Sequence, residues 1–98
     1  MNKIEHLLTC LIEECLEVGK EATKAQRFGL TGCSPSDLSQ ETNTSRLVRE
    51  MHEVIAVFEW LQDLHVLPLG DKYGDINRKQ AKLEAMIEIA IQRGNLEP

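Results

Sequence analysis

The chain has 98 residues, of which 42% are apolar and 28% are charged. This balance is typical of a soluble globular protein, and the length suits a single domain whose thin core a second copy would deepen. The formal charge of −5, from 16 acidic against 11 basic residues, argues against a protein that binds nucleic acid through its phosphates.

The cysteines and the first residues bear on the compartment. Cys10, Cys15 and Cys33 form an odd set that lacks the spacing of a zinc site. Reduced thiols in a cytosol are their simplest interpretation. Acidic residues come too early for a signal sequence, and no apolar run approaches the ~20 residues that a membrane-spanning helix needs. We therefore expect a cytoplasmic protein without a membrane partner.

The first predicted helix covers about residues 3–28. Its apolar residues recur at steps of three and four, which is the helical period. Gly29 is a suitable C-terminal stop. The stretch 29–44 is rich in Gly, Ser, Thr, Pro and Asn, a composition that predicts a loop.

Two further helices are predicted, at about residues 45–65 and 76–92. Thr44 or Ser45 would cap the first of them, and Pro68 and Gly70 would end it. A turn-rich connector over 67–75 separates the two. We predict an all-α fold, with residues 1–98 as a single helical domain. Its three helices would run antiparallel in a four-helix-bundle-like core that a homodimer or homotetramer completes.

Matched pairs of glutamates occur on the first two predicted helices. Glu14 and Glu17 stand three apart on one, and Glu50 and Glu53 do so on the other, so each pair shares a helix face. Glu14 and Glu50 also fall beside the apolar stripes, where an unpaired carboxylate would be costly. Oxygen ligands of this kind select hard cations such as Mg²⁺. The competing interpretation is a solvated acidic face paired with lysines.

A row of charged residues continues along the first helix. Glu17, Lys20, Lys24 and Arg27 follow one another at steps of three and four. Lys24 and Arg27 would lie roughly 10–15 Å beyond Glu17, which is about the reach of a triphosphate tail. Cations there would neutralise charge that develops during phosphoryl transfer. An ordinary solvated helix face with salt bridges accounts for the same spacing.

Several segments resemble a known enzyme family. E-E-x-x-E on one helix followed by E-x-x-(D/E) on the next resembles the all-α nucleoside triphosphate pyrophosphohydrolases, the MazG-like group that includes dimeric dUTPases. The segment LIEECLEVGKEATKAQRFGL is similar to small bacterial and phage members, and KQAKLEAMIEIAIQRGNLEP is similar to their third helix. The resemblance therefore covers nearly the whole chain.

The resemblance implies hydrolysis between the α and β phosphates of a nucleoside triphosphate, which yields a nucleoside monophosphate and pyrophosphate. It implies Mg²⁺, with Mn²⁺ as a substitute, bound by four carboxylates. Family members usually carry Asp where this chain has Glu53. The residues that the resemblance and the charged row select are metal ligands Glu14, Glu17, Glu50 and Glu53; proton acceptors Glu13 or Glu17; and phosphate contacts Lys20, Lys24 and Arg27, with Lys72 from the connector.

Other residues have plainer interpretations. Trp60 and Phe58 could stack on a base, but a core or interface role is favoured for both. No Glu-x-x-His occurs, which argues against a carboxylate-bridged di-iron bundle. Two alternative functions stay open: a non-catalytic helical interaction module whose acids are merely solvated, and a small helix-turn-helix regulator, against which the acidic balance counts.

Overall fold

A computed structural model describes residues 1–98 and contains three helices and no strand. The helices are α1 (Lys3–Phe28), α2 (Asn43–Asp63) and α3 (Lys72–Gln92). The predicted all-α class is therefore confirmed. The chain divides into two compact units, Met1–Pro68 and Leu69–Pro98. The single domain, the antiparallel bundle of three helices and the oligomer stay predictions.

The boundaries of α1 agree with the sequence prediction because clear local signals fix both ends. The side chain of Asn2 accepts the backbone N–H of Glu5 at 2.8 Å, and the Glu5 carboxylate accepts the backbone N–H of Asn2 at 3.2 Å. This reciprocal capping box begins the helix. Gly29 ends it at φ +92°, a backbone conformation that favours glycine.

The other two helices begin earlier than the sequence predicts. Thr42, rather than Thr44 or Ser45, caps α2 by accepting the backbone N–H of Ser45 at 3.2 Å. The side chain of Asp71 accepts the backbone N–H of Gly74 at 3.1 Å and begins α3 at Lys72. The glycines within 67–75 predicted a connector that extends to residue 75. The cap at Asp71 instead allows α3 to begin at Lys72, with Gly74 inside its first turn.

In the first unit, α1 and α2 pack as a helical hairpin. At one end, the Asn43 side-chain amide donates to the carbonyl oxygen of Gly29 at 2.8 Å, and its backbone N–H donates to that of Gly32, also at 2.8 Å. At the other end, the Lys3 ammonium lies 5.1 Å from the centre of the Trp60 ring. Contacts therefore progress in opposite directions along the two helices.

The interface between α1 and α2 contains the few buried apolar side chains of the unit. Leu7, Ala25 and Leu61 are buried there, and Leu61 is wholly inaccessible to solvent. Two polar residues, Glu21 and Asn43, are buried as well. The small number of apolar members agrees with the expected thin core.

Much apolar surface stays exposed on one side of the hairpin. At about 100° per residue, Glu17 lies in one rotational direction from Glu14, and Glu53 lies in the same direction from Glu50. Six large exposed apolar side chains lie in the other direction. We call the apolar set the apolar face, and its members expose 39% to 61% of their surface. They are Ile4, Leu8 and Ile12 on α1, and Met51, Ile55 and Phe58 on α2.

The second unit consists of α3 and its flanking residues. None of the α3 side chains is buried, and its apolar residues Ile76, Leu83 and Ile87 each expose at least 40% of their surface. None of the three helices combines the length and the apolar composition that a bilayer crossing requires.

Candidate metal centre

Three of the predicted carboxylates converge in the middle of the hairpin. One carboxylate oxygen from each of Glu14, Glu50 and Glu53 lies within 4.8 Å of the other two. Glu14 comes from α1, and the other two come from α2. Glu14 and Glu50 are half-buried between the two helices. Glu53 is exposed and lies about one turn after Glu50, at the edge of the interface.

The Glu14 carboxylate leaves one oxygen without a partner. Its Oε2 is inaccessible to solvent and makes no hydrogen bond. A buried carboxylate oxygen of this kind loses its hydration and gains nothing in return. A cation between the helices would remove that cost.

Glu50 is the carboxylate of the cluster whose pKa is raised. Burial raises the pKa of its carboxyl above the ordinary value, and a hydrogen bond with Glu53 and the negative charges of Glu53 and Glu17 raise it further. The nearby Arg49 guanidinium acts in the opposite direction but is the smallest influence. Arg49 is also engaged elsewhere, since it donates to the Glu41 carboxylate at 2.7 Å. Arg49 therefore does not neutralise the negative charge of the three carboxylates.

Glu17 and Glu13 occupy different positions relative to the cluster. Glu17 is exposed, but it is close enough for its charge to raise the pKa of Glu50. Glu13 is exposed on α1 and lies outside the group of three converging oxygens. The structure thus brings together Glu14, Glu50 and Glu53, with Glu17 beside them and Glu13 further out.

Sequence reasoning missed a fourth interface carboxylate. Glu21 is only 3% exposed and lies seven residues after Glu14, on the same side of α1. Its Oε1 accepts from the Lys24 ammonium at 3.4 Å, whereas its Oε2 has no partner. The seven-residue spacing from Glu14 was the signal that could have identified it.

The four predicted phosphate contacts have unequal surroundings. Lys20 and Arg27 are exposed, and the Arg27 guanidinium lies 5.3 Å from the centre of the Phe28 ring. Lys24 is half-buried and ion-paired with Glu21. Lys72 belongs to the second unit, where its ammonium lies 5.9 Å from the centre of the Tyr73 ring. The first three belong to the same unit as the carboxylates.

The donor set of the cluster suits a hard cation. All its ligand atoms are carboxylate oxygens, and no histidine or cysteine joins the group. Mg²⁺, Mn²⁺ and Ca²⁺ prefer such ligands, whereas zinc and copper favour nitrogen and sulfur. The unpartnered Glu14 oxygen and the raised pKa of Glu50 both indicate that the cluster lacks a positive charge.

Comparisons with protein-family models, with curated proteins and with solved structures find no match to this chain. A functional proposal therefore depends on the geometry of the cluster and on the motifs within the sequence.

Proposed function

We propose that this protein is a Mg²⁺-dependent nucleoside triphosphate pyrophosphohydrolase, which releases a nucleoside monophosphate and pyrophosphate. The observation that carries the proposal is the convergence of Glu14, Glu50 and Glu53 oxygens within 4.8 Å, in a setting that lacks a compensating cation. The resemblance of the glutamate motifs to the MazG-like family supplies the reaction.

Glu14, Glu50 and Glu53 would bind the metal, with Glu17 as the fourth ligand. When bound, Mg²⁺ lowers the pKa of a coordinated water and shields the phosphate charges. Glu17 is better placed than Glu13 to accept the proton of the attacking water, because it is the nearer of the two to Glu50. Mn²⁺ would substitute because it prefers the same oxygen ligands.

The β and γ phosphates would extend along α1 toward its C-terminal end. Lys24 lies seven residues beyond Glu17, on the same side of the helix and about 10 Å away. The Lys24 ammonium lies 3.4 Å from the Glu21 carboxylate. It has further N–H donors for a phosphate oxygen. Lys20 and Arg27 are exposed and free to add to this contact. Lys72 belongs to the second unit, and its role stays a prediction from the sequence.

Homodimers or homotetramers would cover the apolar face. The six large side chains of that face form an exposed apolar patch of the kind that marks a protein–protein contact. They lie on the side of the hairpin away from Glu17 and Glu53, so a second copy would leave the carboxylates open to substrate. We place the working protein in the cytoplasm.

A non-catalytic interaction module is the second candidate, and the exposed apolar face is the observation that favours it. The two functions differ in their response to ligands. A pyrophosphohydrolase should gain thermal stability from Mg²⁺ together with an unreactive nucleotide analogue, by about 2.7 kcal/mol when the ligand is at 100 times its Kd. An interaction module should not respond.

The decisive experiment is a panel of canonical and modified ribo- and deoxyribonucleoside triphosphates with Mg²⁺, scored for pyrophosphate against phosphate release. Glu50→Gln should lower turnover by at least ~100-fold. Mutation of residues that merely hydrogen-bond to a metal ligand already lowers metal affinity or activity by about 10–100-fold. The matched control is Glu59→Gln, an exposed glutamate on the same helix that lies outside the cluster. Equal turnover in both variants would overturn the proposal.

A further inference from the structure

Trp60 stands apart from the other large exposed side chains of the hairpin. It exposes 50% of its surface and is the single tryptophan of the chain. It follows Glu53 by seven residues, so it lies on the same side of α2, two turns and about 10 Å away. The exposed ring therefore belongs to the side of the hairpin that bears the carboxylates.

The apolar face does not account for the exposure of Trp60. Phe58 belongs to that face, and a step of two residues turns the helix by about 200°. Trp60 therefore points away from Phe58, and a second copy that covers the apolar face would leave it open. A core role is also excluded for Trp60, because half of its surface is in contact with solvent.

We propose that Trp60 is the stacking platform for the nucleobase of a nucleoside triphosphate bound at the Glu14–Glu50–Glu53 cluster. This inference rests on the proposed function and adds a base-binding residue to it. Two helical turns correspond to the length of a nucleotide from its α-phosphate to the far edge of its base. Aromatic rings bind bases of every kind by stacking, because each base has a π-face.

The direction of the chain supports this layout. Because contacts progress in opposite directions along α1 and α2, Trp60 lies toward the Lys3 end of the hairpin and Lys24 toward the other end. The cluster lies between them. A substrate would then extend from its base at Trp60, through its α-phosphate at the metal, to its terminal phosphates near Lys24.

Two neighbours leave the Trp60 ring available. Ala56 lies between Glu53 and Trp60 on the same side of the helix, is exposed and is too small to block a sugar. Lys3 holds its ammonium over the ring at 5.1 Å from the centroid. Such a contact at an exposed site is weaker than the stacking of a base, so a nucleotide would displace it.

The fluorescence of the single tryptophan reports this contact directly. Mg²⁺ with an α,β-methylene analogue of dATP should quench the emission of Trp60 in the full-length protein, with saturation at increasing nucleotide concentration. Mg²⁺ with inorganic tripolyphosphate carries the same phosphate chain without a base and should leave the emission unchanged. Equal responses to the two ligands would overturn the inference.

Variants separate base stacking from a structural role. Trp60→Leu should raise the KM for dATP by about 5-fold to 150-fold with little change in kcat, and Trp60→Phe should recover most of that loss. The control is Phe58→Leu, which removes an aromatic ring from the apolar face and should leave KM unchanged. A lowered kcat with unchanged KM in Trp60→Leu would refute base stacking.

The same measurements distinguish this inference from the function on which it rests. Pyrophosphate release with an unaltered KM in Trp60→Leu would refute stacking and leave the enzyme intact. Quenching by the nucleotide analogue alone, without any turnover of triphosphates, would support base binding at Trp60 and refute the hydrolase.

Discussion

The two sides of the α1–α2 hairpin satisfy their side chains in different ways. On the carboxylate side, Glu21 is ion-paired with Lys24, whereas burial and the neighbouring Glu53 raise the pKa of Glu50, and buried oxygens of Glu14 and Glu21 have no partner. On the apolar face, the side chains are chemically uniform and need only to be covered. The difference teaches that the first side contains buried carboxylate oxygens without a partner, whereas any well-fitting apolar surface would cover the second.

The strongest way to break this comparison is to remove the core that separates the two sides. Leu61→Ala should lower the free energy of unfolding by about 2–5 kcal/mol, because it leaves a cavity at the one fully inaccessible apolar side chain. Urea denaturation followed by circular dichroism measures the change. A loss below about 1 kcal/mol would show that the interface between the helices contributes little to stability.

A smaller loss should follow when the buried ion pair is broken. Lys24→Met leaves the Glu21 carboxylate buried without its cation and should cost about 2–3 kcal/mol, somewhat below the range for fully buried pairs because Lys24 is partly exposed. Glu21→Gln leaves the ammonium near water and should cost less. Lys20→Met is the matched control on an exposed position, and an equal cost there would contradict the pairing argument.

The pH dependence of stability sharpens the account of the carboxylate side. The folded state holds the Glu50 proton more tightly than the unfolded chain does, because burial raises the pKa above its ordinary value of 4.5. The contribution of Glu50 to the stability of the metal-free protein should therefore be fully present below pH 4.5 and be lost as the pH rises through the raised pKa.

Thermal unfolding at several pH values tests this. Glu50→Gln has no proton to lose and should flatten the dependence above pH 4.5. If Mg²⁺ binds the ionised carboxylates as proposed, it should restore stability at the higher pH values. If Mg²⁺ stabilised the wild type and Glu50→Gln equally, Glu50 would not be a ligand.

The smallest effect on the folding of a single chain is expected on the apolar face. Ile55→Asp replaces a side chain that is 41% exposed and should lower the unfolding free energy of the dilute chain by about 1 kcal/mol, because the partial burial of the isoleucine is lost. Self-association at higher concentration should disappear, as measured by analytical ultracentrifugation. A wild type that stays monomeric at high concentration would contradict the proposed homo-oligomer.

The all-α class and the three helices were predictable from the sequence because the helical signals are local. The periodic apolar residues and Gly29 located α1, whereas the cap at Asp71 was hidden inside a segment rich in turn-forming residues. Helix ends depend on single hydrogen bonds such as that from Gly74 to Asp71, and several residues compete for the same role.

The candidate site was predictable only in part. The repeated E-x-x-E spacing predicted that Glu14, Glu17, Glu50 and Glu53 converge, and the structure brings oxygens of Glu14, Glu50 and Glu53 together, because both helices contribute to one interface. The burial of Glu21 was missed because lysine and glutamate at a spacing of three are usually solvated. The seven-residue spacing places Trp60 on the same side of α2 as Glu53. Its position near Lys3 follows from the packing of α1 on α2, which a single helix pattern does not contain.

The hydrogen bonds of Asn43 determine where the chain should tolerate an insertion. Through its backbone and side chain it ties the start of α2 to the carbonyl groups of Gly32 and Gly29, so the two helices meet at a fixed junction. The exposed tip around Pro35 and Ser36 is not needed for that junction. Because doubling the length of a flexible loop costs only about 0.6 kcal/mol, foreign segments inserted at the tip should leave the hairpin folded, which makes it the natural attachment point for a tag or a fused domain.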